Sequence, residues 1–299
     1  MEPDGAPQDG RRVALRLRSP AQDPAPKGFL MASRPLASIL RWTAIPLAAV
    51  AAVALVGIGP RPALAAVPTT TDPAQAAAGW LARQLIDGER FATTYQGVEY
   101  PDQGLTIDAL FALAAAGVAG TNTEKIITWL ATPAVLNGYL GTADDPYFPG
   151  FSAGATAKTI LAAEVTGRNP AAFGGLDLVT RLVSLQKPTG RFSDSFPTDY
   201  SNALGQSLAV VGLNRTGGHA TETAKGAAFL AGSQCADGGF PITFDGPACD
   251  SQVDATAYVV QALLAAGDTA TATKGLTWLI GKQKADGGFT DDSAAGESP

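Results

Sequence analysis

Four Ala/Leu-rich runs punctuate the chain, at 104–117, 154–167, 199–212 and 254–267, and each closes on a glycine. Glycine is favoured just past a helix end because it accepts positive φ, so each run predicts one helix. In the last run, Ala255 to Ala266 is apolar at nearly every position, with Thr256 and Gln261 the exceptions. That is the pattern of a helix buried all round. A second kind of helix alternates with the first. Around 274–284, Leu276, Leu279 and Ile280 lie on one side, while Lys274, Lys282 and Lys284 fall elsewhere, the pattern of a helix with one wet face. Apolar helices inside and amphipathic helices outside predict two concentric helical layers.

The alternation is a repeat. Lys225-Gly226-Ala227-Ala228-Phe229-Leu230, followed by Gln234 and Gly238-Gly239-Phe240, recurs as Lys274-Gly275-Leu276-Thr277-Trp278-Leu279, followed by Gln283 and Gly287-Gly288-Phe289. A weaker copy runs from Leu182 through Gln186 to Phe192. Fainter ones sit at Trp129-Leu130 with Gly138 and at Trp80-Leu81 ending in Phe91. Taking the glutamine position as anchor, the units register at 85, 134, 186, 234 and 283, spacing too regular for unrelated helices. About five helix pairs follow, nine helices in all, with Gly-Gly loops where outer helices turn back to inner ones.

The motif K-G-x-x-[FW]-L-x-x-x-Q-x-x-x-G-G-F at 225–240 and 274–289 resembles the QW repeat of the prenyltransferase and squalene oxidase repeat family, with Phe at the usual Trp position. Members of that family form α/α toroids. The resemblance therefore implies an all-α fold: a partial or open (α/α) barrel spanning 75–290. It also implies that Gln186, Phe192, Gln234, Phe240, Gln283 and Phe289 are structural ties between successive helices. The family's chemistry is not carried over. The chain has no Asp-x-Asp-Asp acid of the class II terpene cyclases and no thioester Gly-Cys-Gly-Glu-Gln. The chain stops at Pro299, where a further inner helix is due. That leaves either a shortened chain or an open arc completed by other residues or a partner.

Residues 31–65 bear on compartment. Arg34 and Arg41 precede an apolar stretch from Ala44 to Ile58, and Ala63-Leu64-Ala65 closes it, which reads as a signal peptide cleaved between Ala65 and Ala66. The competing reading is an uncleaved membrane anchor, the only route by which this chain would touch a membrane. Residues 1–30 read as a disordered leader or an upstream mis-start, 66–74 as a linker and 291–299 as a disordered tail. A secreted or cell-surface chain permits a Cys235–Cys249 disulfide; two free thiols are the alternative.

Composition narrows the chemistry. Net charge is -6, and without residues 1–65 the count is 13 basic against 23 acidic residues, so a phosphate backbone is excluded as partner. One histidine, His219, and two cysteines cannot furnish a Cys/His zinc shell, and no cofactor is expected. The residues placed at the toroid mouth for an unidentified ligand or protein are Phe148, Asp199, Tyr200, Asp254 and Tyr258, aromatic surface combined with carboxylates. Capping is the competing reading for Asp199 and Asp254, and a core position for Tyr258. Three functions follow: a non-catalytic binding module; a terpene cyclase, prenyltransferase-type or glycan-acting enzyme with Asp250 or Asp254 as acid; or a structural domain with Ca²⁺ at Asp237, Asp245 and Asp250. For the last, Asp-Gly is equally a turn signal.

Overall fold

A computed structural model describes residues 70–289. The segments read as a signal peptide with cleavage between Ala65 and Ala66, as a leader and as a 291–299 tail lie outside the described residues. Ten α-helices follow in order: α1 (Pro73–Ala82), α2 (Gln103–Ala116), α3 (Gly120–Leu130), α4 (Pro133–Leu140), α5 (Ala153–Val165), α6 (Leu178–Ser184), α7 (Ala203–Thr216), α8 (Ala220–Gly232), α9 (Val253–Ala266) and α10 (Thr269–Lys282). A hairpin of β1 (Phe91–Tyr95) and β2 (Val98–Asp102) precedes α2, and a short 3₁₀ turn (Pro170–Ala172) precedes α6.

The fold is an α/α toroid in two layers. Helices α2, α5, α7 and α9 form the inner layer, each packed on the next. Behind them stand α1, α3, α4, α6, α8 and α10. The layers differ in burial as their sequences do: α5 buries nearly its whole first three turns, whereas α10 buries only Ala272 and Gly275. The α5–α7 crossing is close because glycines face each other: a β-carbon on Gly205 would stand 3.0 Å from the Gly154 Cα.

The repeated residues link one unit to the next. Gln186 donates from Nε2 to the Glu222 carbonyl on α8 at 2.8 Å, and Gln234 to the Thr271 carbonyl on α10 at 3.1 Å. Within its own loop, Gln234 also reaches the Gly238 carbonyl. At the ends of three loops an aromatic packs on the core, and its backbone N–H is taken up by the next inner helix: Phe192 by Gln206 Oε1 at 2.7 Å, Phe240 by Thr256 Oγ1 at 2.9 Å, and the partly buried Phe91 by Thr106 Oγ1 at 2.9 Å. Phe192 and Phe240 are buried, while Phe289 remains 42% exposed. Between α8 and α9, the Cys235–Cys249 disulfide closes the loop that carries Phe240.

Four features depart from the sequence reading. Gly212, read as closing a helix, is buried inside α7, which runs on to Thr216. Ten α-helices are described where nine were expected, because the second unit's outer layer holds two helices: α4 starts anew at Pro133, a residue pre-set for a first helical turn. The first unit closes through a hairpin whose two-residue turn, Gln96-Gly97, takes positive φ at both positions. Helix α9 is not buried all round: Gln261 is exposed and Leu264 is 51% exposed. Gln261 faces a hollow on the concave side of the inner layer.

Candidate functional site

A concavity of about 600 Å³ opens where the four inner helices converge. Phe111, Ala114 and Ala115 of α2 line it, with Leu161 and Val165 of α5, Ser207, Leu208, Val211 and Arg215 of α7, and Tyr258 and Gln261 of α9. Each helix presents residues three, four or seven apart, the stripe that one face of a helix shows to a common centre. The wall is apolar on α2 and α5, and Val165 is 40% exposed there. Its polar groups come from α7 and α9. Ser207 is spent on the Ala203 carbonyl at 2.7 Å and Gln261 Nε2 on the Ala257 carbonyl at 3.1 Å. Arg215 is exposed and makes no hydrogen bond or ion pair among the described residues.

One turn nearer the helix starts the central face becomes charged. Lys158 of α5 bonds Asp108 of α2 at 2.7 Å, with the lysine largely covered. Burial pushes the Tyr258 hydroxyl above its ordinary pKa, and the negative charges of Asp108 and Asp254 push it further. Tyr139 is pushed up more strongly by burial, with Asp108 and Asp102 adding to it. Both tyrosines therefore stay neutral hydrogen-bonding groups at physiological pH.

The five residues expected at one mouth divide between two places. Tyr258 lines the cavity and Asp254, exposed at the second position of α9, acts on it electrostatically. Phe148 and Tyr200 lie in the loops before α5 and α7. There the Phe148 ring stacks on Phe196 at 4.5 Å and tilts against Tyr200 at 6.2 Å. Phe196 is seated on two loop glycines, Gly141 and Gly150, where any β-carbon would collide with its ring. Asp199 is occupied: it accepts from the backbone N–H groups of Asp194 and Ser201, both at 3.0 Å, and faces Arg191 at 3.4 Å. Neither carboxylate is a helix cap, since Asn202 caps α7 and Gln252 precedes α9.

Other acidic candidates serve the scaffold. Asp250 lies in an exposed loop. Asp237 takes the Ser251 hydroxyl at 2.7 Å and the Trp278 indole N–H at 2.8 Å, and Asp245 pairs with Arg191 at 2.7 Å. The three are thus committed to different neighbours or to solvent, and among the described residues no group of three acidic, His or Cys side chains is placed to hold a metal ion.

Sequence reasoning missed most of the cavity wall, including Phe111, Val211 and Arg215. It also missed Asp194, which is 8% exposed and accepts the Ala153 N–H at 2.7 Å at the start of α5.

No family model and no curated protein sequence matches the chain. Solved structures do. A protein from Actinoplanes superposes with a TM-score of 0.51 at 22% identity, over 72% of this chain and 66% of the other. The ent-copalyl diphosphate synthase from Streptomyces platensis gives a TM-score of 0.49 at 20% identity, over 72% of this chain and 41% of the synthase. The chain thus spans less than two thirds of either protein, and the likeness is one of fold. No described helix is long and apolar enough to cross a membrane.

Proposed function

We propose that this chain is an exported, non-catalytic binding module of the prenyltransferase and squalene oxidase repeat type, holding a small apolar ligand at the centre of its helical ring. The cavity carries this reading. Its volume falls within the roughly 300–1,000 Å³ of small-molecule sites, and apolar side chains dominate its wall. No carboxylate, thiol or imidazole is among the lining residues; of the two hydroxyls there, Ser207 is committed to the Ala203 carbonyl and burial raises the pKa of Tyr258.

The test is fluorescence titration of the full-length chain with the neutral apolar probe N-phenyl-1-naphthylamine. Saturable binding at one site is expected, lost in Ala115→Trp and Val211→Trp, each of which puts an indole into the hollow. Ala115 is exposed, so the first variant leaves the core intact. Absence of saturable binding, or binding unaltered in both variants, overturns the reading. Export is tested separately by the mass of protein recovered from the medium, expected to begin at Ala66.

A second reading, an enzyme using carboxylates, has one observation in its favour: Asp108 and Asp254 both act on the Tyr258 hydroxyl above the cavity. It requires turnover that Asp254→Asn abolishes while leaving probe binding unchanged.

A further inference from the structure

The cavity is polarised. Its α2 and α5 walls are hydrocarbon, and the only charged side chain among its lining residues is Arg215, in the last turn of α7. Arg90, Arg168 and Arg191 find a carboxylate, while the exposed Arg83 finds neither carboxylate nor carbonyl among the described residues. Arg215 finds neither among the described residues, although acidic side chains outnumber basic ones over the chain. Its five N–H donors lie beside an apolar hollow, and no described residue takes them.

We propose that the ligand is an amphipathic monocarboxylate. Its apolar body lies against Phe111, Leu161, Val165 and Val211, and its carboxylate is clamped by Arg215. The proposal rests on the binding reading above and names its ligand class. A planar guanidinium matches a carboxylate in a two-pronged hydrogen bond, and one cation suits one negative charge. A diphosphate would bring further charge, and the lining offers no second cation to meet it. The helix ends sharpen the argument. Helices α2, α5 and α7 all finish at this side of the cavity, and their terminal carbonyls repel an anion. Arg215 is what makes an anion acceptable there. Removing its charge converts attraction into repulsion while leaving the apolar wall untouched.

The experiment is displacement of N-phenyl-1-naphthylamine from the full-length chain by decanoate, decanol and decyl phosphate. Decanoate is expected to compete about tenfold more strongly than decanol, and the advantage should vanish or reverse in Arg215→Gln and survive in part in Arg215→Lys. Decanol should compete equally against wild type and Arg215→Gln. Equal competition by decanoate and decanol in the wild type overturns the proposal while leaving the binding reading standing. So does an Arg215→Gln variant that melts earlier yet keeps the decanoate preference, which would make Arg215 only a complement to the end of α7. A clear preference for decyl phosphate overturns the carboxylate assignment. Failure of the probe itself to bind overturns the binding reading first.

Discussion

The ring of Phe240 rests on Gly275, the glycine of the following outer helix, and a β-carbon at 275 would stand 3.2 Å from its Cε2 and 2.7 Å from Val260 Cγ2. The preceding unit repeats the arrangement, with Phe192 on Gly226. The Lys-Gly pair and the Gly-Gly-Phe of the repeat are thus two halves of one contact between neighbouring units. Gly275→Ala is expected to destabilise the chain by about 1–3 kcal/mol through overpacking. Gly281→Ala, on the same helix with nothing within 4 Å, is expected to stabilise it by about 0.5–1 kcal/mol through helix propensity alone. Urea unfolding of both variants checks the pair, and equal effects would remove the packing explanation.

Gln234 reaches two carbonyls, one of them on α10, whereas among the described residues Gln283 reaches only the Gly287 carbonyl of its own loop. Gln234→Ala strands a carbonyl between units and is expected to cost about 1 kcal/mol or somewhat more. Gln283→Ala, at an exposed site, should cost clearly less. Denaturant midpoints of the two variants give the comparison.

The layering was legible because burial writes itself into composition: Ala and Leu at nearly every inner position, lysines on one outer face. The hairpin was not. Thr93, Thr94, Tyr95 and Val98 to Tyr100 are exposed, so β1 and β2 have no buried face to impose an alternating pattern. The cavity escaped for the opposite reason. Phe111, Leu161 and Val211 are apolar whether they meet a packed core or a hollow, and periodicity cannot tell these apart. Arg215 gave no signal of its own, since a basic residue in a last helical turn is ordinary.

The Cys235–Cys249 disulfide closes a loop of sequence separation 14 around the strand of chain that delivers Phe240 to the core. Constraining a loop of that length in the unfolded chain contributes about 3 kcal/mol. Cys235→Ser with Cys249→Ser, or reduction of the wild type, should lower the urea midpoint accordingly. The loss should be greater for the double variant than for Gln283→Ala, and a midpoint insensitive to reductant would show that the loop is held by its packing alone.

Asp194 gives the pH dependence a definite sign. Burial raises its pKa, the Ala153 N–H opposes that, and the nearby Asp199 charge adds to the rise. A carboxyl whose folded pKa lies above its unfolded value contributes stability that is complete below the unfolded value and is lost as pH climbs through the folded one. Asp199 runs the other way: burial works against its charge, but hydrogen bonds from Ser201, Asp194 and Ser193 outweigh it, so its stabilisation is lost as pH falls. The whole-protein profile mixes the two. Asp194→Asn separates them, because the amide oxygen still accepts the Ala153 N–H while the buried charge is gone. Relative to wild type, the variant is expected to gain stability as pH rises above the ordinary carboxylate pKa of about 4, where the unfolded chain ionises before the folded one. Asp194→Ala, which strands that N–H at the start of α5, should lose about 1–3 kcal/mol across the same range. Thermal unfolding of the three proteins at stepped pH measures both differences. A difference between wild type and Asp194→Asn that is flat, or that shrinks toward neutrality, would mean that solvent or hydrogen bonding offsets the burial of Asp194 completely.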